Sequence, residues 1–206
     1  MKRVLIFSEN NLLIKSWSKT LSPIYQISKL DDIDSDFTAD AIIIDSQKID
    51  SNKKLLSNFS HKTTRFLIVG SNWPEDNQIN ALTHGAAGYC EASESPKLML
   101  QALEQILKGD IWIQRLLVPK VIGSLMKIKT TEDEVNKNHS SSKLLESLSS
   151  REMDVAKMIQ AGENNKTIAS SLYISERTVK AHLTSIFKKL NVPSRLHLAV
   201  FIKELG

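Results

Sequence analysis

The sequence predicts an α/β protein: a five-stranded, parallel, doubly wound domain over residues 1–126, a linker over 127–143, and an all-α domain of four helices over 144–206. Three observations carry this expectation. Short apolar runs alternate with polar segments of helical period through the first 125 residues, the pattern of a parallel sheet with helices on both faces. Those runs are apolar at consecutive positions, as strands buried on both sides require. The composition then changes: KTTEDEVNKNHSSSK, residues 129–143, holds one apolar residue, Val135, and no strand pattern follows it.

The strands are expected at Val4–Phe7, Ala41–Ile44, Phe66–Val69 and Gly88–Cys90, with a weaker fifth at Tyr25–Leu30. Between them, Leu12, Leu13, Trp17 and Leu21 share one helical face, and Leu98, Leu103, Ile106 and Leu107 share another. Ser95-Pro96 opens the second of these helices, since Ser caps and Pro suits the first helical position, and Gly109 closes it. A short helix from about Leu116 to Met126 follows. The segment 129–143 cannot bury a core and reads as a flexible linker.

Composition narrows the function classes. With 41% hydrophobic and 24% charged residues the chain is an ordinary globular one. No run approaches the roughly 18 apolar residues of a membrane span. The opening MKRVLIFSEN is too short for a signal-peptide core and reads as a strand. Cys90 is the single cysteine, so no intrachain disulfide forms, and a cytoplasmic location is expected. The net charge of +4 is concentrated: residues 176–206 carry six Lys or Arg against two Glu. Such a surplus fits a polyanion partner or a solvated helix face, and charge alone does not separate the two.

The helices of the last 60 residues are more informative. Ser149-Ser150-Arg151-Glu152 is a capping box, after which Val155, Ala156, Met158 and Ile159 form an apolar face and Gly162 stops the helix. Asn164-Asn165-Lys166 opens a second helix bearing Ile168, Ala169 and Leu172, and Tyr173-Ile174 turns the chain. Ser175 caps a third, with Glu176 at its positive end and Val179, Leu183, Ile186, Phe187 and Leu190 facing inward. The outward face carries Arg177, Lys180, Ala181, Thr184 and Lys188, slim and donor-rich as a helix entering the major groove must be. Lys180 can donate to guanine, Ala181 admits close approach to a thymine methyl, and Thr184 can bond or pack. Asn165, Lys166, Thr178, Lys188, Lys189 and Arg195 are the expected phosphate contacts, which position a protein without reading sequence.

The run LSSREMDVAKMIQAGENNKTIASSLYISERTVKAHLTSIFKKLNV closely resembles the LuxR/NarL-type helix-turn-helix over about sixty residues. Arg151-Glu152, Gly162, Asn165-Lys166, Ile168-Ala169, Leu172, Ser175-Glu176, Thr178-Val179-Lys180, His182, Lys189-Leu190 and Arg195 fall in step with its pattern. Asn164 and Thr167 depart from it mildly. The resemblance implies binding to double-stranded DNA, with Lys180, Ala181 and Thr184 at the base-facing positions. It also implies a homodimer formed through the last helix, about Ser194–Leu205, whose Leu198, Phe201, Ile202 and Leu205 can equally close the core. His182 reads as a packed helix residue, since no second ligand lies at i±4, and no metal site is expected.

Beside this domain, the βα-repeat resembles a response-regulator receiver. Asp45, ending the run Ala41-Ile42-Ile43-Ile44, stands at the phosphoacceptor position that the resemblance implies. A working receiver also needs an acid pair for Mg²⁺, a Thr or Ser after the fourth strand and a Lys after the fifth. Here those places hold Ser8-Glu9, Gly70 with Ser71 beside it, and Ala92; Tyr89 stands where the family carries its switch aromatic. The domain is therefore expected to be a degenerate receiver in which Mg²⁺ is not retained and Asp45 phosphorylation is not the normal switch. Asp45 as a strand-end acid bonded to neighbouring amides, and Tyr89 as an ordinary sheet-edge residue, are the simpler alternatives. A short decayed receiver before this helix-turn-helix resembles the biofilm-matrix regulators of the CsgD/VpsT kind. Some of these bind cyclic di-GMP at a W-[FLM]-[TS]-R motif, and the corresponding Trp112-Ile113-Gln114-Arg115 departs from it at Ile113 and Gln114.

Three functions are thus open: a DNA-binding regulator with an unphosphorylated receiver, control by Asp45 phosphorylation or by cyclic di-GMP, and an α/β enzyme. The turn Phe7-Ser8-Glu9-Asn10-Asn11 has no glycine for a nucleotide phosphate, and neither a nucleophile elbow nor a Cys/His metal spacing is present, so an enzyme is not expected.

Overall fold

Five parallel strands form one sheet in the order β2-β1-β3-β4-β5: β1 (Arg3–Phe7), β2 (Gln26–Lys29), β3 (Ala41–Asp45), β4 (Arg65–Gly70) and β5 (Gly88–Glu91). The computed structural model describes all residues except 34–36, 53, 57–63, 134–143 and 206. Each expected strand lies where its apolar run predicts, the weaker second one included.

The registers Phe7↔Ile44, Asp45↔Val69 and Gly70↔Glu91 bring the carboxyl ends of β1, β3, β4 and β5 to one edge. In open α/β sheets that edge is where ligands sit. The pleat sends alternate residues to opposite faces. Val4, Ile6, Ala41, Ile43, Leu67 and Val69 pack against α1 (Asn11–Leu21) and α4 (Pro96–Lys108) through Trp17, Leu21, Leu103 and Ile106. Leu5, Phe7, Ile42, Ile44, Phe66 and Ile68 pack on the other face with Ile49 of α2 (Ser46–Ser51) and Ala81 of α3 (Glu75–Thr83). The sheet is doubly wound, as expected.

Two local expectations are corrected. Leu12 is 77% exposed: at about 3.6 residues per turn it lies roughly opposite the buried Trp17 and Leu21 around α1, while Asn10 caps that helix by accepting from the amides of Leu12 and Leu13. Only Trp17 and Leu21 are fully buried on that helix. Ser95 makes no side-chain cap bond; Pro96 begins α4, and Gly109 ends it at φ 98°, a left-handed position that glycine reaches without a Cβ clash.

The chain divides into two compact units, Met1–Ile113 and Gln114–Gly206. The helix expected at 116–126 begins as a 3-10 turn, Arg115–Leu117, and continues as α5 (Val118–Asp133). It groups with the second unit rather than with the sheet. Residues 127–133 of the expected linker are helical, and 134–143 lie outside the described residues. Four further helices follow: α6 (Ser150–Gln160), α7 (Asn165–Leu172), α8 (Glu176–Leu190) and α9 (Arg195–Leu205). They share a core of Val155, Ile159, Ile168, Val179, Leu183, Ile186 and Leu198, each at most 1% exposed. Among the described residues, no helix is long and apolar enough to cross a membrane.

Candidate nucleic-acid interface

The N-termini of α6, α7 and α8 are each closed by a side chain. The Ser149 hydroxyl accepts from the Glu152 amide while the Glu152 carboxylate accepts from the Ser149 amide, the capping box read from the sequence. Asn164 caps α7 through the Thr167 amide at 2.9 Å, and Ser175 caps α8 through the Thr178 amide at 3.0 Å. These contacts hold α7 and α8 as the two helices of a helix-turn-helix.

On α8, Val179, Leu183, Ile186 and Leu190 point into the core. The opposite face presents Arg177, Ala181, Thr184 and Lys188 to solvent, with Lys180 half-buried beside them. The Thr184 hydroxyl donates to the Lys180 carbonyl at 3.0 Å, which leaves its methyl and both oxygen lone pairs for a partner. A face of this width, with cations at both ends and an alanine in the middle, can enter a major groove and meet base edges.

The expected phosphate contacts divide differently. Lys166 and Lys188 are exposed. Thr178 is half-buried, and its hydroxyl lies 2.8 Å from that of Ser175. Asn165 is 1% exposed, and its side-chain oxygen accepts from Arg195, itself 9% exposed, at 3.1 Å; Arg195 also donates to the Glu163 carbonyl. Neither residue faces outward: the pair fastens the start of α7 to the start of α9. The Lys189 ammonium lies 2.7 Å from Glu152, tying the end of α8 to the start of α6. Burial alone would raise the Glu152 carboxyl. Hydrogen bonds from Lys189, Ser185 and Ser149 outweigh it and bring the group down to about 2. Asn165 and Arg195 are thus internal fasteners, while Lys189 is a fastener that stays exposed at the surface. On α9, Leu198, Phe201 and Ile202 close the core.

In the sheet unit, Asp45 is 4% exposed and caps α2. One carboxylate oxygen accepts from the Gln47 amide at 3.1 Å and the other from the Ser8 hydroxyl at 2.7 Å. The Ser8 oxygen in turn accepts from the Asn10 amide. Glu9 is held by Lys48, whose ammonium also lies 4.8 Å from the centre of the Phe7 ring; that bond and charge lower the Glu9 carboxyl. Gly70 abuts Ser46: a Cβ there would come 2.3 Å from the Ser46 hydroxyl oxygen, so the position admits no side chain. Ser71 is exposed, and the Ala92 amide donates to the Gly70 carbonyl at 2.6 Å. Tyr89 is 4% exposed, stacks on Trp73 and donates to Glu91 at 2.9 Å; burial and that carboxylate raise its phenol. It lies on the edge strand β5 with its side chain buried in the core.

Sequence reasoning missed Lys48, Asp50, Trp73 and Glu91. Asp50 accepts from the Trp73 indole at 2.9 Å, and Glu91 accepts from the Asn72 amide as well as from Tyr89. The position of Lys48, three residues after Asp45, was the available signal for the first. Trp112 bridges β5 through its backbone, donating to Ala87 and accepting from Tyr89, and its half-buried ring packs on the sheet core. Arg115 is exposed. Among the described residues, no group of three or more His, Cys, Asp or Glu is arranged to hold a metal ion.

Residues 146–202 match the family model described as bacterial regulatory proteins, luxR family. Over 141 residues, 68% of its length, the chain is 33% identical to the nitrate/nitrite response regulator protein NarL of Escherichia coli (strain K12), and covers 61% of that protein. It is 30% identical over 144 residues, 69% of its length, to the oxygen regulatory protein NreC of Staphylococcus carnosus (strain TM300), covering 63% of it. The chain thus spans about three fifths of the length of the curated relatives it matches. Among solved structures, the regulatory domain of the master biofilm regulator CsgD aligns with 59% of this chain and 98% of that one, at 16% identity and a TM-score of 0.44.

Proposed function

We propose, from the premise that residues 146–202 place the chain in the luxR family of bacterial regulatory proteins, that it is a sequence-specific DNA-binding transcription regulator. The observation that carries this reading is the outward face of α8, where Arg177, Lys180, Ala181, Thr184 and Lys188 ride on a helix capped and buried along its other side. Lys180, Ala181 and Thr184 read bases. Lys166, Arg177 and Lys188 hold phosphates, and a second copy of the chain binds the other half-site.

The sheet unit is not switched by phosphorylation of Asp45. The hydrogen-bonded Ser8–Asp45 pair supports this, since a serine hydroxyl occupies the carboxylate where an acid pair would hold a cation. The closed Gly70 position supports it too, because no hydroxyl can be mounted there beside Ser46.

The test is selection of duplexes from a random pool by the full chain. A shared motif is expected, bound at least about 10³ times more tightly than random duplex. Lys180→Ala should cost about 1–3 kcal/mol of specific affinity and relax one base preference. Binding without sequence preference, or indifference to Lys180→Ala, would sink the reading. For the sheet unit, acetyl phosphate with Mg²⁺ is expected to leave Asp45 unlabelled. Stoichiometric labelling that disappears in Asp45→Asn would restore phosphorylation control. Added cyclic di-GMP shifting the duplex affinity would instead point to a nucleotide signal.

A further inference from the structure

Tyr173 stands out among the aromatic residues. It occupies the residue after the last turn of α7, at φ 54° and ψ 44°, in the left-handed region. Its amide donates to the Ser170 carbonyl and the next amide, Ile174, donates to the Ala169 carbonyl, the paired bonds that close a helix in a Schellman motif. Glycine suits such a position, and asparagine tolerates it; an aromatic side chain there bears a Cβ clash. The ring repays none of that cost in packing, for it is 96% exposed. Its neighbours Leu172 and Ile174 are the residues that pack on the core. A strained backbone carrying a fully solvated aromatic points to a partner outside the domain.

Position says which partner. Tyr173 lies two residues before Ser175, the cap of α8, on the turn joining the two helices. When a helix-turn-helix docks, the second helix enters the major groove by its N-terminal residues while the first crosses the backbone. The joining turn therefore travels with the N-terminus of α8, beside exposed Arg177. A phenol there can donate to a phosphate oxygen while its ring lies on the adjoining sugar, and tyrosine is among the side chains that make such contacts.

We infer that Tyr173 grips the sugar–phosphate backbone at the rim of the groove that α8 reads, fixing the register of the helix without reading a base. The inference rests on the DNA-binding function proposed above. The full chain and a duplex selected by it from a random pool form the assay. Tyr173→Gly removes the ring and the strain together, so the melting temperature should hold or rise while affinity falls about tenfold on both the selected and a random duplex. Tyr173→Phe should lose roughly three- to fivefold, the share of the hydroxyl. Benzoylphenylalanine at position 173 should crosslink to the DNA.

If wild type selects no duplex, the DNA-binding reading itself fails. If wild type binds and Tyr173→Gly binds equally well, only this inference fails. Unchanged affinity together with lost transcription in a purified polymerase reaction would move the contact to a protein and overturn it as well.

Discussion

Glu152 shows what a single side chain contributes to this domain. It closes the first turn of α6 and receives the Lys189 ammonium from the end of α8, so one carboxylate fastens two helices. Its folded-state value of about 2 lies below the ordinary 4.5. The stability it adds is therefore present in full above about pH 4.5 and is lost as the pH falls from there toward about 2. Glu152→Gln should lower the neutral-pH stability of the C-terminal unit by about 1–2 kcal/mol and flatten this acid limb, read by thermal melts across pH. Lys189→Ala should lower the same melting temperature. Gly70 and Ser46 make the corresponding test in the sheet unit. Gly70→Ser should destabilise that unit by about 1–3 kcal/mol through the contact with Ser46, and Ser46→Gly in the same chain should recover most of the loss. Additive losses in the double variant would disprove the clash.

At the level of elements, the sheet was legible because buried parallel strands leave short runs of Val, Ile and Leu, and their length and alternation with helix-period segments separate them from buried helices. The alternation implied a parallel sheet but not the order β2-β1-β3-β4-β5, which depends on pairing between distant segments, whereas the caps at Ser149, Asn164 and Ser175 followed from residue type and spacing. The outward face of α8 was legible for the same reason: its period is local. Asn165, Lys189 and Arg195 were not legible as fasteners, because their partners lie 30 to 37 residues away and their polarity matches that of surface residues. Leu12 was misplaced because at about 100° per residue it lies roughly opposite Trp17 and Leu21 on α1, so the four apolar residues do not share one face. One prediction belongs here. Ala181 is exposed, so Ala181→Leu should leave the melting temperature unchanged. By holding α8 away from the base edges it should nevertheless weaken binding to the selected duplex by tenfold or more. Retained affinity would mean that this face does not enter the groove.

For the whole molecule, the charge has a preferred end. Residues 176–206 carry the entire formal surplus, and the remaining residues sum to about zero. The structure withdraws some of that surplus from any partner, since Arg195 is buried and Lys189 is paired. On or beside the reading face stand the exposed Lys166, Arg177 and Lys188, with Lys180 half-buried among them, four cations in all. For two copies on DNA, log affinity should fall with log salt at a slope no steeper than about −7. A markedly steeper slope would show that Lys189 leaves Glu152 on binding. Asp45→Asn should change neither this slope nor the affinity.

The fit of Gly70 against Ser46 also bears on how the chain can change over generations. Placing a hydroxyl-bearing residue at 70 while Ser46 stands drives two atoms together, and the strain is relieved only after both positions have altered. At the neighbouring strand end, an acid in place of Ser8 would set a second negative charge against buried Asp45 unless a cation came with it. A hydroxyl at 70 or an acid at 8 is thus uphill when introduced alone. The two neighbourhoods are therefore open to paired substitutions and closed to single ones, so this edge of the sheet should vary in coupled steps.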